Sequence, residues 1–240
     1  MRKYLLSIAM LLVVSPAQCL TRGEIRTQVR WLVGDTEVST TTNKQRWTDD
    51  IINARINIVQ EEIARQSRCS YGRALSTPTA GIQEVLLPSD VLNIDRVTFI
   101  SISGSTVAYR KLEGVTMPGL DRDNPTWESL PAGIPRYYYI RGQYIGLVPA
   151  PSSTYAVSKA LKIDYYKKPA ALTTDSCEPF DGDYALSAYH DLLIKGVVIM
   201  CRKDNGQDAS ALIQEYYALI KQMGDEIRTR PDIQEIIKTR

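Results

Sequence analysis

The sequence is short of the residues from which most enzyme sites are built. Its 240 residues hold one histidine, His190, so a Ser-His-Asp or Cys-His arrangement has a single candidate base. No G-x-S-x-G elbow, H-E-x-x-H pair, P-loop or G-x-G-x-x-G turn occurs. The four cysteines, Cys19, Cys69, Cys177 and Cys201, are scattered without a C-x-x-C pair. That excludes the usual zinc spacing and a disulfide framework and leaves buried free thiols as the reading. Neither sign of charge dominates: 29 Lys plus Arg against 27 Asp plus Glu gives a formal net charge of +2. A dedicated nucleic-acid binder shows a basic patch or stripe, and none is evident. Phenylalanine occurs only twice, against 14 tyrosines. Tyrosine joins apolar area to a polar tip; it suits half-wet strand faces first and protein interfaces second.

What remains for chemistry is weak. His190 stands beside Asp191 inside a predicted helix and reads as a packed or surface residue. The carboxylate pairs Asp49-Asp50 and Glu61-Glu62 read as a helix cap and a solvated face. Asp175, Glu178, Asp181 and Asp183 form an acidic loop that could hold a hard cation, but the spacing is not that of an EF-hand. The loop reads instead as solvated, with Asp183 opening the next helix. No catalytic, cofactor-binding or metal-binding residue is assigned. The chain reads as a protein that is not an enzyme and works by binding other proteins.

Residues 1–19 carry Arg2 and Lys3, then an apolar run from Leu5 to Val14, then Ser15-Pro16-Ala17-Gln18-Cys19. This resembles a secretory signal peptide and is too short for a comfortable membrane span. The alternative is an apolar N-terminal extension that packs on a neighbour. Thr21 and Glu24 form a capping box, and Ile25, Val29 and Leu32 continue as one helical face up to Gly34. Thr48 caps a second helix with Ile52, Ile56, Val59 and Ile63 on a stripe that Ile51 and Ile58 widen. Strands are predicted at 84–88, 93–101 and 107–112, with Gly104-Ser105 as a turn; 117–130 is a loop with one helical turn. A hairpin turns at Gly142 between 136–140 and 144–148, and Ala160–Tyr166 alternates Leu161, Ile163 and Tyr165 on one face. Helices return at 184–203, with Leu186, Tyr189, Leu193, Val197 and Met200, and at 207–223, with Leu212, Tyr216, Leu219 and Ile220; Gly224 ends the last.

The expected fold class is therefore α+β: a helical bundle formed by N- and C-terminal helix pairs, with an inserted antiparallel β region. The division is 1–19; a domain over 20–224 with helices 21–34, 48–67, 184–203 and 207–223 and a β insert over 83–168; and a tail over 225–240. In that tail Ile233, Ile236 and Ile237 form an apolar cluster suited to docking.

Four stretches, in order, resemble the head-to-tail connector (adaptor, head-completion, tail-tubular-type) proteins of tailed bacteriophages. They are Leu20 to Arg26 with Leu32 to Asp35; Arg46-Trp47-Thr48-Asp49-Asp50-Ile51-Ile52-Asn53-Ala54; Leu87 to Val91 with Ile94 to Val97; and the run from Gly133-Ile134-Pro135 through Tyr137-Tyr138-Tyr139-Ile140 and Pro149-Ala150-Pro151 to Tyr165-Tyr166-Lys167-Lys168-Pro169. The resemblance implies a structural virion protein, assembled in the host cytoplasm. Copies, commonly twelve, would form a ring between the portal protein and the tail (nozzle or tail-tube) proteins. DNA would pass through the lumen without sequence-specific contact, no cofactor would be needed, and no membrane would be involved unless residues 1–19 are retained. The C-terminal segment of such proteins often reaches toward the portal, which makes Ile233, Ile236 and Ile237 the docking candidates. The leader-like start points to the alternative, an exported bacterial envelope binding module in the periplasm.

Overall fold

Thr21 and Glu24 close the expected capping box: the Thr21 amide donates to Glu24 Oε2 at 2.8 Å, and the Glu24 amide donates to Thr21 Oγ1 at 3.4 Å. Two of the orphan amides at the start of α1 (Arg22–Val33) are thereby satisfied. Gly34, in the left-handed region, stops the helix by donating to the Arg30 and Trp31 carbonyls. In this computed structural model residues 19–35, 46–103 and 106–229 are described. They form a mixed α+β structure with five helices and two mostly antiparallel sheets. The other helices are α2 (Asp49–Ser67), α3 (Met117–Asp123), α4 (His190–Asp204) and α5 (Ser210–Thr229).

One apolar core is built by the four long helices. Ile25 and Val29 of α1, Ile52, Ile56 and Ile63 of α2, Leu193 and Val197 of α4, and Ile220, Met223 and Ile227 of α5 all belong to it. Three expectations fail here. Leu32, Ile51 and Ile58 are exposed, so the buried stripes of α1 and α2 are narrower than the apolar pattern. His190 is the first residue of α4, not its middle, because Tyr184–Tyr189 forms a 3-10 turn before the helix begins. Gly224 does not end α5, which runs on to Thr229, so the expected tail boundary at 225 falls inside the helix. A Cβ on Gly224 would stand 2.9 Å from the Ser67 carbonyl oxygen, so glycine is there to let α5 cross the end of α2 closely. It serves packing rather than termination.

The β region is two sheets where one was expected. The first has the order β1-β8-β3-β4, with β1 Tyr71–Ser76, β3 Val91–Ser103, β4 Thr106–Lys111 and β8 Leu161–Lys167, all antiparallel. The second has the order β2-β7-β6-β5, with β2 Glu84–Leu86, β5 Glu113–Gly114, β6 Tyr137–Arg141 and β7 Tyr144–Val148; β5 joins β6 in parallel. The expected turn at Gly104-Ser105 lies outside the described residues. Val97, Phe99, Leu161 and Ile163 of the first sheet share a core with Ile145 and Leu147 of the second. The far face of the second sheet is covered by Leu120 of α3 and by Trp127, which packs edge-on against Tyr139 at 5.2 Å between ring centroids. Strand β7 is thus buried on both faces, and the Tyr139 ring leaves no room for a side chain on Gly146. Strand β1 was not expected, because Gly72, Ala74 and Ser76 on its inner face give no apolar alternation.

Candidate functional site

The chain returns from the sheets to the helices through residues 168–183, and this segment is fastened to α2 by two amide side chains one turn apart. Asn57 accepts from the Leu172 amide at 2.8 Å and donates to the Leu172 carbonyl at 3.3 Å. Gln60, buried, donates to the Ala170 carbonyl and accepts from the Phe180 amide, both at 3.0 Å. Each side chain satisfies one backbone donor and one acceptor that burial would otherwise strand. From the other side, the Arg22 amide donates to the Cys177 carbonyl, the Gly23 amide to the Asp175 carbonyl, and the Arg22 guanidinium to the Leu172 carbonyl. The hydrophobic pattern gave no signal for Asn57 or Gln60, since both lie beside the apolar stripe rather than in it.

The expected acidic cluster is dispersed by this arrangement. Asp175 takes Arg22 and Arg26. Hydrogen bonds from Arg26, then from Arg22, hold its carboxyl down at about 2. Asp181 accepts from Lys167 Nζ and from the Ala170 amide, and Asp183 accepts from the Ala185 amide to open the 3-10 turn. Among the described residues no three His, Cys, Asp or Glu side chains gather where a metal could sit. Asp49 stands in the first turn of α2, behind the Thr48 cap, and takes Arg30 and Arg26, while Glu61 pairs with Lys168 and Arg65.

His190 is buried. Its Nδ1 accepts from the Leu20 amide at 3.0 Å, and its Nε2 has no hydrogen-bond partner among the described residues. Burial lowers its pKa below the ordinary 6.5, against the opposing pull of Glu178 and Asp191. The neutral ring is spent on fixing the chain just before α1. Of the four cysteines, Cys69 and Cys201 are buried as expected, but Cys19 and Cys177 are half-exposed. The Cys177 thiol is lowered to about 7 by hydrogen bonds from the Thr174 hydroxyl and the Thr174 and Thr173 amides, whereas burial pushes Cys69 up to about 11.

Where the arrangement is open is on its apolar surface. Trp31 is 73% exposed at the end of α1, with Ile51 and Ile58 on the outer face of α2. Leu86 and Ile140 rim a cleft of about 780 Å³ between the two sheets. Beyond the last β3–β8 pair, Phe99 with Leu161, the ribbon of β3 and β4 projects with Ile102, Val107 and Tyr109 uncovered, Tyr109 at 67%. Of these, Ile102 and Val107 are cross-strand neighbours, and adjoining exposed apolar side chains of this kind mark protein contacts. No helix among the described residues is long and apolar enough to cross a membrane. The docking candidates Ile233, Ile236 and Ile237 lie outside the described residues. A protein-family model described as SU10 adaptor protein matches residues 20–235 of the chain. No curated protein matches it.

Proposed function

The chain belongs to the SU10 adaptor protein family, a phage head-tail adaptor family, and from that premise we propose that it forms a ring between the portal and the tail of a tailed phage. The single observation that carries this reading is the extent of the match: residues 20–235 take in all five helices and both sheets. A phage adaptor is a structural virion component and not an enzyme. In this reading the helix pairs α1–α2 and α4–α5 act as one bundle and the two sheets as its insertion. The ring extends the DNA channel and offers the tail its platform, and a net charge of +2 lets DNA pass without being held. Self-association is head to tail, because only a heterologous contact closes into a ring of more than two identical copies. Twelve copies, and docking on the portal by Ile233, Ile236 and Ile237, complete the proposal. The alternative of an exported envelope module draws no support from the family match.

Intact-mass spectrometry on sedimented particles and on the periplasmic fraction of the source culture tests this. The expected result is a chain beginning at Met1 or near Leu20, co-sedimenting with capsid and portal proteins. Protein recovered only as a cleaved periplasmic species overturns it.

A further inference from the structure

The first sheet has two bare edges, and their chemistry matches. The Leu112 amide donates to the Val97 carbonyl, which fixes the alternation of the β3–β4 ladder. The polar backbone groups of Val107, Tyr109 and Lys111 therefore point away from β3. On the opposite edge the Lys167 amide donates to the Ser70 carbonyl, so those of Tyr71, Arg73 and Leu75 point away from β8. Among the described residues no backbone amide or carbonyl of these six residues has a hydrogen-bond partner. An edge bare in this way is a template for another strand.

We propose that β4 of one copy pairs with β1 of the next, so that the first sheet runs on from copy to copy. This rests on the ring reading above and names the contact that joins neighbours. Four consecutive antiparallel strands leave the two edge strands running in opposite directions. A following copy in the same orientation therefore presents its β1 antiparallel to β4, as head-to-tail addition requires. In the register with greatest overlap, Val107 faces Leu75, Tyr109 faces Arg73 and Lys111 faces Tyr71 of the next copy. All six residues lie on the same, outer face of the sheet, the face where Arg73 pairs with Asp164. Val107 and Leu75 are each 48% exposed and would cover one another. The Arg73 guanidinium meets the Tyr109 ring. Lys111 approaches the Tyr71 ring, a second pairing of cation and aromatic face across the seam.

The test is a cysteine pair, Leu75→Cys with Val107→Cys, in assembled particles that are mildly oxidised, digested and searched for linked peptides. Within one chain these positions stand three strand spacings apart across the sheet, at least about 14 Å, beyond disulfide reach, so any such link joins two chains. The expected result is a ladder of multimers carrying the 75–107 link in the double variant and in neither single one. A 107–107 link in Val107→Cys alone means two-fold pairing of β4 edges and overturns the proposal. Double-variant chain present in particles without the 75–107 link also overturns it, while leaving the adaptor reading intact. Absence of the wild-type chain from particles sinks both. Tyr109→Pro is a second variant: it removes the ring and an outward-facing amide, both on the seam side, so the ladder within the chain survives. Incorporation is expected to fall at least tenfold with an unchanged circular dichroism spectrum; incorporation at the wild-type level overturns the proposal.

Discussion

At the scale of single residues, the side chains that hold this molecule together are not those a search for chemistry selects. Gln60 and Asn57 are neutral amides beside a helical stripe, yet they fasten residues 170–180 to α2. Gln60→Ala leaves the Ala170 carbonyl and the Phe180 amide without a partner. The expected cost is on the order of 2 kcal/mol in a urea titration; a change below about 0.5 kcal/mol contradicts the fastening. His190 reads from sequence as a packed or surface residue; it is packed, and it accepts from the Leu20 amide. The scattered cysteines read alike as buried thiols, but Cys177 is half-exposed and takes hydrogen bonds from Thr173 and Thr174, close in sequence and brought around the sulfur only by the local turn. Iodoacetamide is expected to modify Cys177 before Cys69, with a rate that climbs through about pH 7; peptide mapping after a short pulse checks this. Equal labelling of Cys69 contradicts it.

At the scale of elements, the helices were read closely because their signals are local. The capping box, the Thr48 cap and the Gly34 stop all act within one turn of chain. Thr48→Ala is expected to lower stability by about 1 kcal/mol. The 3.6-residue period of α2 is equally local, but which apolar residues it buries is not. Ile56 and Ile63 belong to the core shared with α4 and α5, while Ile51 and Ile58 lie outside it, partly exposed. Ile63→Ala is expected to cost about 2–5 kcal/mol by urea titration, and Ile58→Ala within about 0.5 kcal/mol. If Ile58 serves assembly, only incorporation into particles changes. The strands were legible where apolar alternation marks them, as in β8, and hidden in β1, where Gly72 makes room for the Tyr165 ring. The second sheet was also hidden: Ile145 to Val148 reads as a strand either way, and only Trp127 and Tyr139 on its far face make it the middle of a layered structure.

At the scale of the whole molecule, the ion pairs set the response to acid. Asp175 is held near 2 by Arg26 and Arg22, and Glu61 is lowered by Lys168 and Arg65. A carboxylate whose folded pKa lies below its unfolded one contributes stability above about pH 4, lost as pH falls through the folded value. His190 acts at higher pH: its folded pKa is below 6.5, so the unfolded state binds a proton first and stability begins to decline below about pH 6.5. The melting temperature is expected to sag as pH falls below 6.5 and to fall steeply below pH 4; His190→Gln is expected to remove the upper sag alone. The sequence by itself determined the mixed α+β class, the starts of α1 and α2, the hairpin at Gly142 and the resemblance that the family match bears out, because caps, turns and periodicity are written in residues a few positions apart. Only the tertiary structure decided that there are two sheets, that Gly224 is a crossing point, and which isoleucines, valines and tyrosines stay uncovered. Those depend on which surfaces meet across the fold, and an apolar residue carries the same signal whether its partner is its own core or another chain.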